Sequence, residues 1–142
     1  MADIKHSIRI ASPSETVYPL TSTPKGFAEW WAADVTEVDG GVELGFFNRT
    51  TVYRLQLAAS EAPARAEWRC ETGNEWAGTR IIFELAPDGS STLLRFTHAD
   101  WAAETGYFVS CNTTWGELMF RLKAAAESKA PGPLFLAAGM AY

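Results

Sequence analysis

The sequence predicts an α+β fold: a curved antiparallel sheet of about seven strands around one long C-terminal helix, with two short helices after the first strand. Three observations carry it. Between Val35 and His98, segments that alternate apolar and polar residues are joined by turn-length links, the pattern of an antiparallel meander. A long amphipathic segment then places Phe108, Cys111, Trp115, Leu118, Leu122 and Ala125 three and four residues apart, on one helix face. One strand and two proline-marked helix starts precede the meander, so the first strand must pair at a sheet edge or close the sheet.

The elements follow in order. Ile4, His6, Ile8 and Ile10 alternate and read as a strand. Ser12-Pro13-Ser14-Glu15 offers an N-cap, a proline at the first helical position and a capping-box glutamate, so a short helix should reach Thr21 with Val17 and Leu20 inward. Thr23-Pro24-Lys25-Gly26 repeats the signal for a second helix carrying Phe27, Trp30 and Trp31, of which only one tryptophan is expected to face fully inward. Val35–Val38 and Val42–Phe47 flank the turn Asp39-Gly40-Gly41, and Asn48-Arg49 makes the next turn. Thr51–Ala59 turns Tyr53, Leu55 and Leu57 to one side, and Arg65–Glu71 turns Ala66, Trp68 and Cys70 inward against a charged outer face. Thr79–Ala86 buries Ile81, Phe83 and Leu85, and Thr92–His98 is the last strand. The final helix is read from about Glu104 to Pro131, bent near Gly116, where an interior glycine costs about 1 kcal/mol against alanine.

A chain of 142 residues fits one domain, 1–130, with an apolar, uncharged tail at 131–142. A net charge of -5, with only Arg121, Lys123 and Lys129 clustered, argues against nucleic acid or an anionic membrane as partner. No apolar run approaches the roughly 18–20 residues that span a bilayer. Two cysteines, Cys70 and Cys111, and no secretory leader point to a cytoplasmic, reducing setting. His6 and His98 are the only histidines, with no Cys-x-x-Cys or His-Glu-x-x-His spacing, so neither a metal nor a cofactor is expected. Gly40-Gly41 sits in a hairpin rather than between strand and helix, which excludes a nucleotide loop. Six tryptophans in an aromatic content of 13% give rings enough to fill a core or to line a pocket.

Several motifs together resemble the helix-grip fold of the START/Bet v 1-like (SRPBCC) superfamily. They are Pro13-Ser14-Glu15-Thr16-Val17-Tyr18, Phe27-Ala28-Glu29-Trp30-Trp31, Thr92-x-Leu94-x-Phe96-x-His98, and Trp115-Gly116-x-Leu118 with Leu122-Lys123. Within the superfamily they are similar to the group named after the activator of heat-shock-protein-90 ATPase. The resemblance runs from residue 3 to about residue 128. It implies a strongly bent sheet gripping the C-terminal helix with an apolar cavity between them. It implies no single activity: members bind lipids, hormones, polyketides or partner proteins, and a minority catalyse reactions.

The reading placed first is a binding protein for a hydrophobic or aromatic small molecule. Its expected ligand-binding residues are Tyr53, Trp68, Phe83, Phe96, His98, Phe108, Asn112, Trp115 and Met119, mostly apolar with a few polar groups that must each find a partner. Cys70 is a further polar candidate. A second reading is an interaction or co-chaperone-type module. The tail Leu134–Tyr142 folds back on the domain, plugs the cavity mouth, or joins a second copy or a protein partner. A third is a cyclase- or hydrolase-type enzyme with His98 as acid or base, placed last because no partner for His98 is readable. No catalytic residue is assigned.

Overall fold

The first strand takes the edge position. The computed structural model describes residues 1–142 and orders them as β1 (Ala2–Ile10), α1 (Ser14–Ser22), α2 (Pro24–Phe27), β2 (Asp34–Val38), β3 (Gly41–Phe46), β4 (Thr51–Glu61), β5 (Arg65–Cys70), β6 (Arg80–Asp88), β7 (Ser91–Trp101) and α3 (Gly106–Ala126). The seven strands form one antiparallel sheet in the order β1-β7-β6-β5-β4-β3-β2. Consecutive hairpins keep neighbours adjacent, and β1 pairs with β7, Ile4 opposite His98 and His6 opposite Phe96. This is the helix-grip architecture.

The pairing register shifts between Ala2 and Ile4 at the β1–β7 edge and between Leu57 and Ala59 in β4. An extra residue on one strand bends it and raises its twist, so these bulges curve the sheet around α3. Near the first, Asp100 adopts φ +71°, which breaks the alternation of β7 and brings Trp101 inward three residues after His98. The strand therefore runs past the His98 end expected from sequence.

Two local expectations are corrected. Ser12 does not cap α1: its carbonyl accepts from Thr92 Oγ1 at 2.8 Å, while Ser14 Oγ pairs with the same hydroxyl at 3.1 Å. Pro13 stands at the cap with no side-chain bond, because these hydroxyls fasten the helix start to β7 instead. Thr23 does cap α2, accepting from Gly26 N at 2.9 Å. That helix ends at Phe27, so Trp30 and Trp31 fall in the following turn, and both are buried, stacked at 5.7 Å and 19°.

The concave face is filled mostly by rings. Phe27 lies 5.0 Å from Trp68, Phe83 5.4 Å from Phe96, and Phe96 4.3 Å from Trp115. Burying such a side chain contributes about 1.5–3 kcal/mol. Trp30 and Trp68 each donate an indole N–H, at 2.9 Å, to the Leu20 and Thr21 carbonyls, which the last turn of α1 cannot satisfy internally. On the convex face Arg65 pairs with Glu67 at 2.8 Å and Arg80 with Asp100 at 2.7 Å, half-buried pairs that still reach solvent and contribute about 1 kcal/mol each at most.

α3 starts at Gly106 under the Thr105 side chain, which accepts from Phe108 N at 3.2 Å, and it continues through Gly116 without interruption. A Cβ added at Gly116 would meet only His6 Cε1, at 3.6 Å, whereas one at Gly26 would come within 2.1 Å of the Pro19 carbonyl oxygen. Gly116→Ala should therefore stabilise the protein by about 1 kcal/mol through helix propensity. Gly26→Ala should destabilise it by about 1–3 kcal/mol, because backbone must move. Urea unfolding of both variants checks the opposite signs.

Candidate functional site

α3 carries two adjacent stripes, and they do different things. Phe108, Trp115, Met119 and Leu122 pack into the core. Turned toward β3 and β4 are Tyr107, Cys111, Thr114 and Leu118, also three and four residues apart, with Ser110 beside them. Small side chains at Ser110, Cys111 and Thr114 do not fill the space in front of them. The result is a cavity of about 270 Å³ between the first half of α3, the β3–β4 hairpin, the loop 71–79 and the C-terminal tail. Eleven of its fourteen lining residues are hydrophobic and none carries a charge.

One wall is aromatic and flat. Tyr53 stacks on Trp76 at 3.9 Å and 7°, and Trp76 lies nearly parallel to Trp115 at 6.2 Å and 17°. Trp31 stands 5.0 Å from Trp115. Gly73, at φ +103°, seats the Tyr53 ring: a Cβ there would lie 2.5 Å from Tyr53 Cε1. Opposite, Phe46 meets Phe135 edge to face at 5.0 Å.

The polar groups gather at one corner. The Tyr53 and Tyr107 hydroxyls are 2.5 Å apart. The Cys111 thiol lies beside the Tyr107 hydroxyl and the Trp76 N–H, and burial pushes its pKa up. Burial likewise raises both phenols, so they stay neutral near pH 7. Trp76 Nε1 is buried without a hydrogen-bond partner.

His98 stands behind this wall, fully buried. Trp115 Nε1–H donates to His98 Nδ1 at 3.1 Å, and His98 Nε2 meets Thr79 Oγ1 at 2.8 Å. Because Nδ1 accepts, the proton is assigned to Nε2, which donates to Thr79. Thr79 Oγ1 in turn donates to the Trp76 carbonyl at 2.6 Å. The relay ties α3, β7 and the loop 71–79 together and holds both tryptophans in place. Burial pulls the His98 pKa down to about 3, so the ring is neutral when folded.

The tail packs along one side of the cavity. Leu134 N–H donates to the Trp30 carbonyl at 3.1 Å, Phe135 N–H to that of Trp31 at 3.0 Å, and Asn48 N–H to that of Ala137 at 2.7 Å. Arg121 donates to the Pro131 and Gly132 carbonyls and to Tyr142 Oη, each at 3.0 Å. Phe135 and Met140 thereby become cavity wall. Of the outcomes the sequence left open for the tail, the chain itself adopts folding back, with Phe135 and Met140 as part of the cavity wall.

Of the nine residues expected to bind a ligand, Tyr53 and Trp115 line this cavity. Trp68, Phe83, Phe96, Phe108 and Met119 are buried core outside its wall, because inward alternation marks the concave face but not which part of it is left empty. Asn112 faces solvent on the other side of α3. His98 is spent on Trp115 and Thr79, which removes the acid–base candidate of the third reading. Cys70 is also core, its pKa pushed up to about 12 by burial. The lining residues missed from sequence include Trp76, Tyr107 and Cys111. The available signal was the second helical stripe from Tyr107 to Leu118, interleaved with small polar residues.

The model of the Activator of Hsp90 ATPase homolog 1-like family matches residues 11–127. The solution structure of the Aha1 dimer from Colwellia psychrerythraea is similar at a TM-score of 0.79 and 28% identity, over 89% of this chain and 97% of that one. SSP2350 from Staphylococcus saprophyticus is similar at 0.74 and 15%, over 96% and 99% of the two chains. CalU16 from Micromonospora echinospora is similar at 0.71 and 17%, over 92% and 77%. The last two show the fold alone. No curated protein matches the sequence. The matched segment stops before the tail that supplies Phe135 and Met140. No helix is long and apolar enough to cross a membrane.

The relay predicts a pH dependence. His98 is neutral when folded but takes a proton near its ordinary value of 6.5 when unfolded. Its contribution is fully present above that pH and is lost as pH falls toward 3, with a limiting slope of about 1.4 kcal/mol per pH unit. Urea unfolding between pH 7 and pH 4 should show this slope, and His98→Asn should flatten it whatever its effect on baseline stability.

Proposed function

We propose that this chain, which belongs to the Activator of Hsp90 ATPase homolog 1-like family, binds a compact, uncharged, hydrophobic small molecule in the cavity between α3, the β3–β4 hairpin and the tail. The family and its fold support a ligand-binding or a co-chaperone-type module. The observation that carries the finer reading is a charge-free cavity walled by stacked aromatic rings with its few polar groups at one corner. Ligand sites have this make-up: apolar walls for affinity and a few convergent polar groups for orientation. A volume of about 270 Å³ lies just below the roughly 300 Å³ at which drug-sized pockets begin, so the occupant is compact. No lining group has the pKa or freedom of a general acid or base near pH 7, which favours binding over catalysis.

Titration with an uncharged naphthalene dye should give saturable 1:1 binding. Thr114→Phe, which fills the cavity from the helix side, should weaken it at least tenfold without lowering the unfolding midpoint. An absence of saturable binding, or binding indifferent to Thr114→Phe, would remove this reading.

A second reading, docking of a protein partner or second copy, is favoured by one feature. The tail leaves Leu136, Met140 and Tyr142 exposed after its inner residues have packed, and the similar Colwellia protein is a dimer. Sedimentation equilibrium should then show self-association that Leu136→Asp abolishes; a monomer at all concentrations would count against self-association through this face.

A further inference from the structure

Two segments beside the cavity hold left-handed backbone at residues other than glycine. In the turn between β3 and β4, Phe47, Asn48 and Arg49 take φ +52°, +54° and +65° in succession. Asparagine adopts this region readily, whereas phenylalanine and arginine do so under constraint. In the connector after α3, Ser128 and Ala130 take φ +63° and +46°. Strain of this kind persists where the surroundings over-determine it, and it gathers at clamps and switches.

The constraints form one chain of contacts. No backbone–backbone hydrogen bond involves residues 130–133, and the Arg121 guanidinium fixes them through the Pro131 and Gly132 carbonyls. The same guanidinium holds Tyr142 Oη, which also donates to Glu117 one turn earlier on α3. Between these anchors, the residues after Phe135 keep a single backbone–backbone bond to the body of the domain, Asn48 N–H to the Ala137 carbonyl. That bond and the edge-to-face contact of Phe47 with Phe135, 6.0 Å at 88°, hold the strained turn from the tail side. Asp34 holds Arg49 from the other side, at 2.8 Å. Phe47, Tyr107 and Met140 line the cavity yet are 43%, 41% and 41% exposed, so they mark where it meets solvent.

We propose that the tail is a latch on the cavity: Arg121 holds the tail, the tail holds the 47–49 turn, and ligand enters and leaves past Phe47 when the latch releases. This rests on the ligand-binding reading above and adds its control. The opposite wall cannot open in the same way, because the His98 relay and the Tyr53–Trp76 stack tie its rings together. Opening falls instead to the side with one backbone bond, half-exposed side chains and backbone strain to relieve. Arg121 does not line the cavity, so its part is to position the tail and not to touch the ligand.

The test is kinetic. Stopped-flow mixing with the uncharged naphthalene dye reads association and dissociation rates, and amide hydrogen exchange by NMR reads the Asn48 N–H. Arg121→Met keeps the length of the side chain and removes its donors. It should raise both rates together by about tenfold and leave Kd within about threefold. Exchange at Asn48 should quicken by about as much, while the amides of β6 and β7 keep their protection and so report an intact fold. Tyr142→Phe, which removes the outer anchor alone, should give a smaller rise in both rates. Dye rates unchanged in Arg121→Met, whether or not Asn48 exchanges faster, would overturn the latch while the cavity stands as a ligand site. A rise in dissociation alone, with Kd weakened to match, would make the tail a fixed wall and overturn it too. An absence of saturable dye binding by the unaltered protein would instead remove the underlying reading.

Discussion

A relay of three hydrogen bonds, two of them on one neutral imidazole, holds the inside of this protein in register. Trp115 on α3, His98 on β7 and Thr79 at the end of the 71–79 loop are linked through His98, and Thr79 passes the link to the Trp76 carbonyl. Both imidazole nitrogens and the Thr79 hydroxyl have partners, and in a buried site that completeness decides between a stabilising network and a costly one. Protonating the ring would put two N–H groups nose to nose at Nδ1, so burial and bonding both favour the neutral form. The histidine that looks most like a catalyst is therefore a spacer. It fixes the distance between the helix and the loop whose tryptophan forms the cavity wall.

The cavity follows from that fixed frame together with a mismatch in side-chain size. Bulky rings on Trp31, Tyr53, Trp76 and Trp115 do not collapse onto the small residues Ser110 and Thr114, since the relay and the stacked pairs hold them in place. The recess is walled by stacked aromatic rings rather than by loosely packed chains. The tail completes it from outside. Its backbone is sewn to the turn after α2, and Arg121 grips both its start and its last residue. Family resemblance explains the sheet and the helix; the tail lies beyond the residues that the family model matches.

The fold was legible because its signals are local. Alternation at period two placed β4 to β7 within a few residues, and the spacing from Phe108 to Leu122 placed α3. Capping was only partly legible. Thr23 acts within its own turn, as read, while Ser12 and Ser14 were claimed by Thr92, some eighty positions along the chain, which no local pattern reveals. Trp30 and Trp31 both reached the interior because α2 stops at Phe27 and the two fall in the turn after it, where their rings stack on one another.

What the sequence determined by itself is the architecture: strand order, helix, inward faces and the absence of charge on them. Periodicity encodes which side of an element is apolar, and hairpin-length links fix which strands touch. What only the tertiary structure decided is where the interior is full and where it is empty. Phe83, Phe96 and Met119 carry the same inward signature as Tyr53 and Trp115, yet they pack solidly. A cavity is a property of the gap between elements, set by how far the relay holds α3 from the 71–79 loop and by where the tail lands. Neither distance is written in the spacing of residues along any one element.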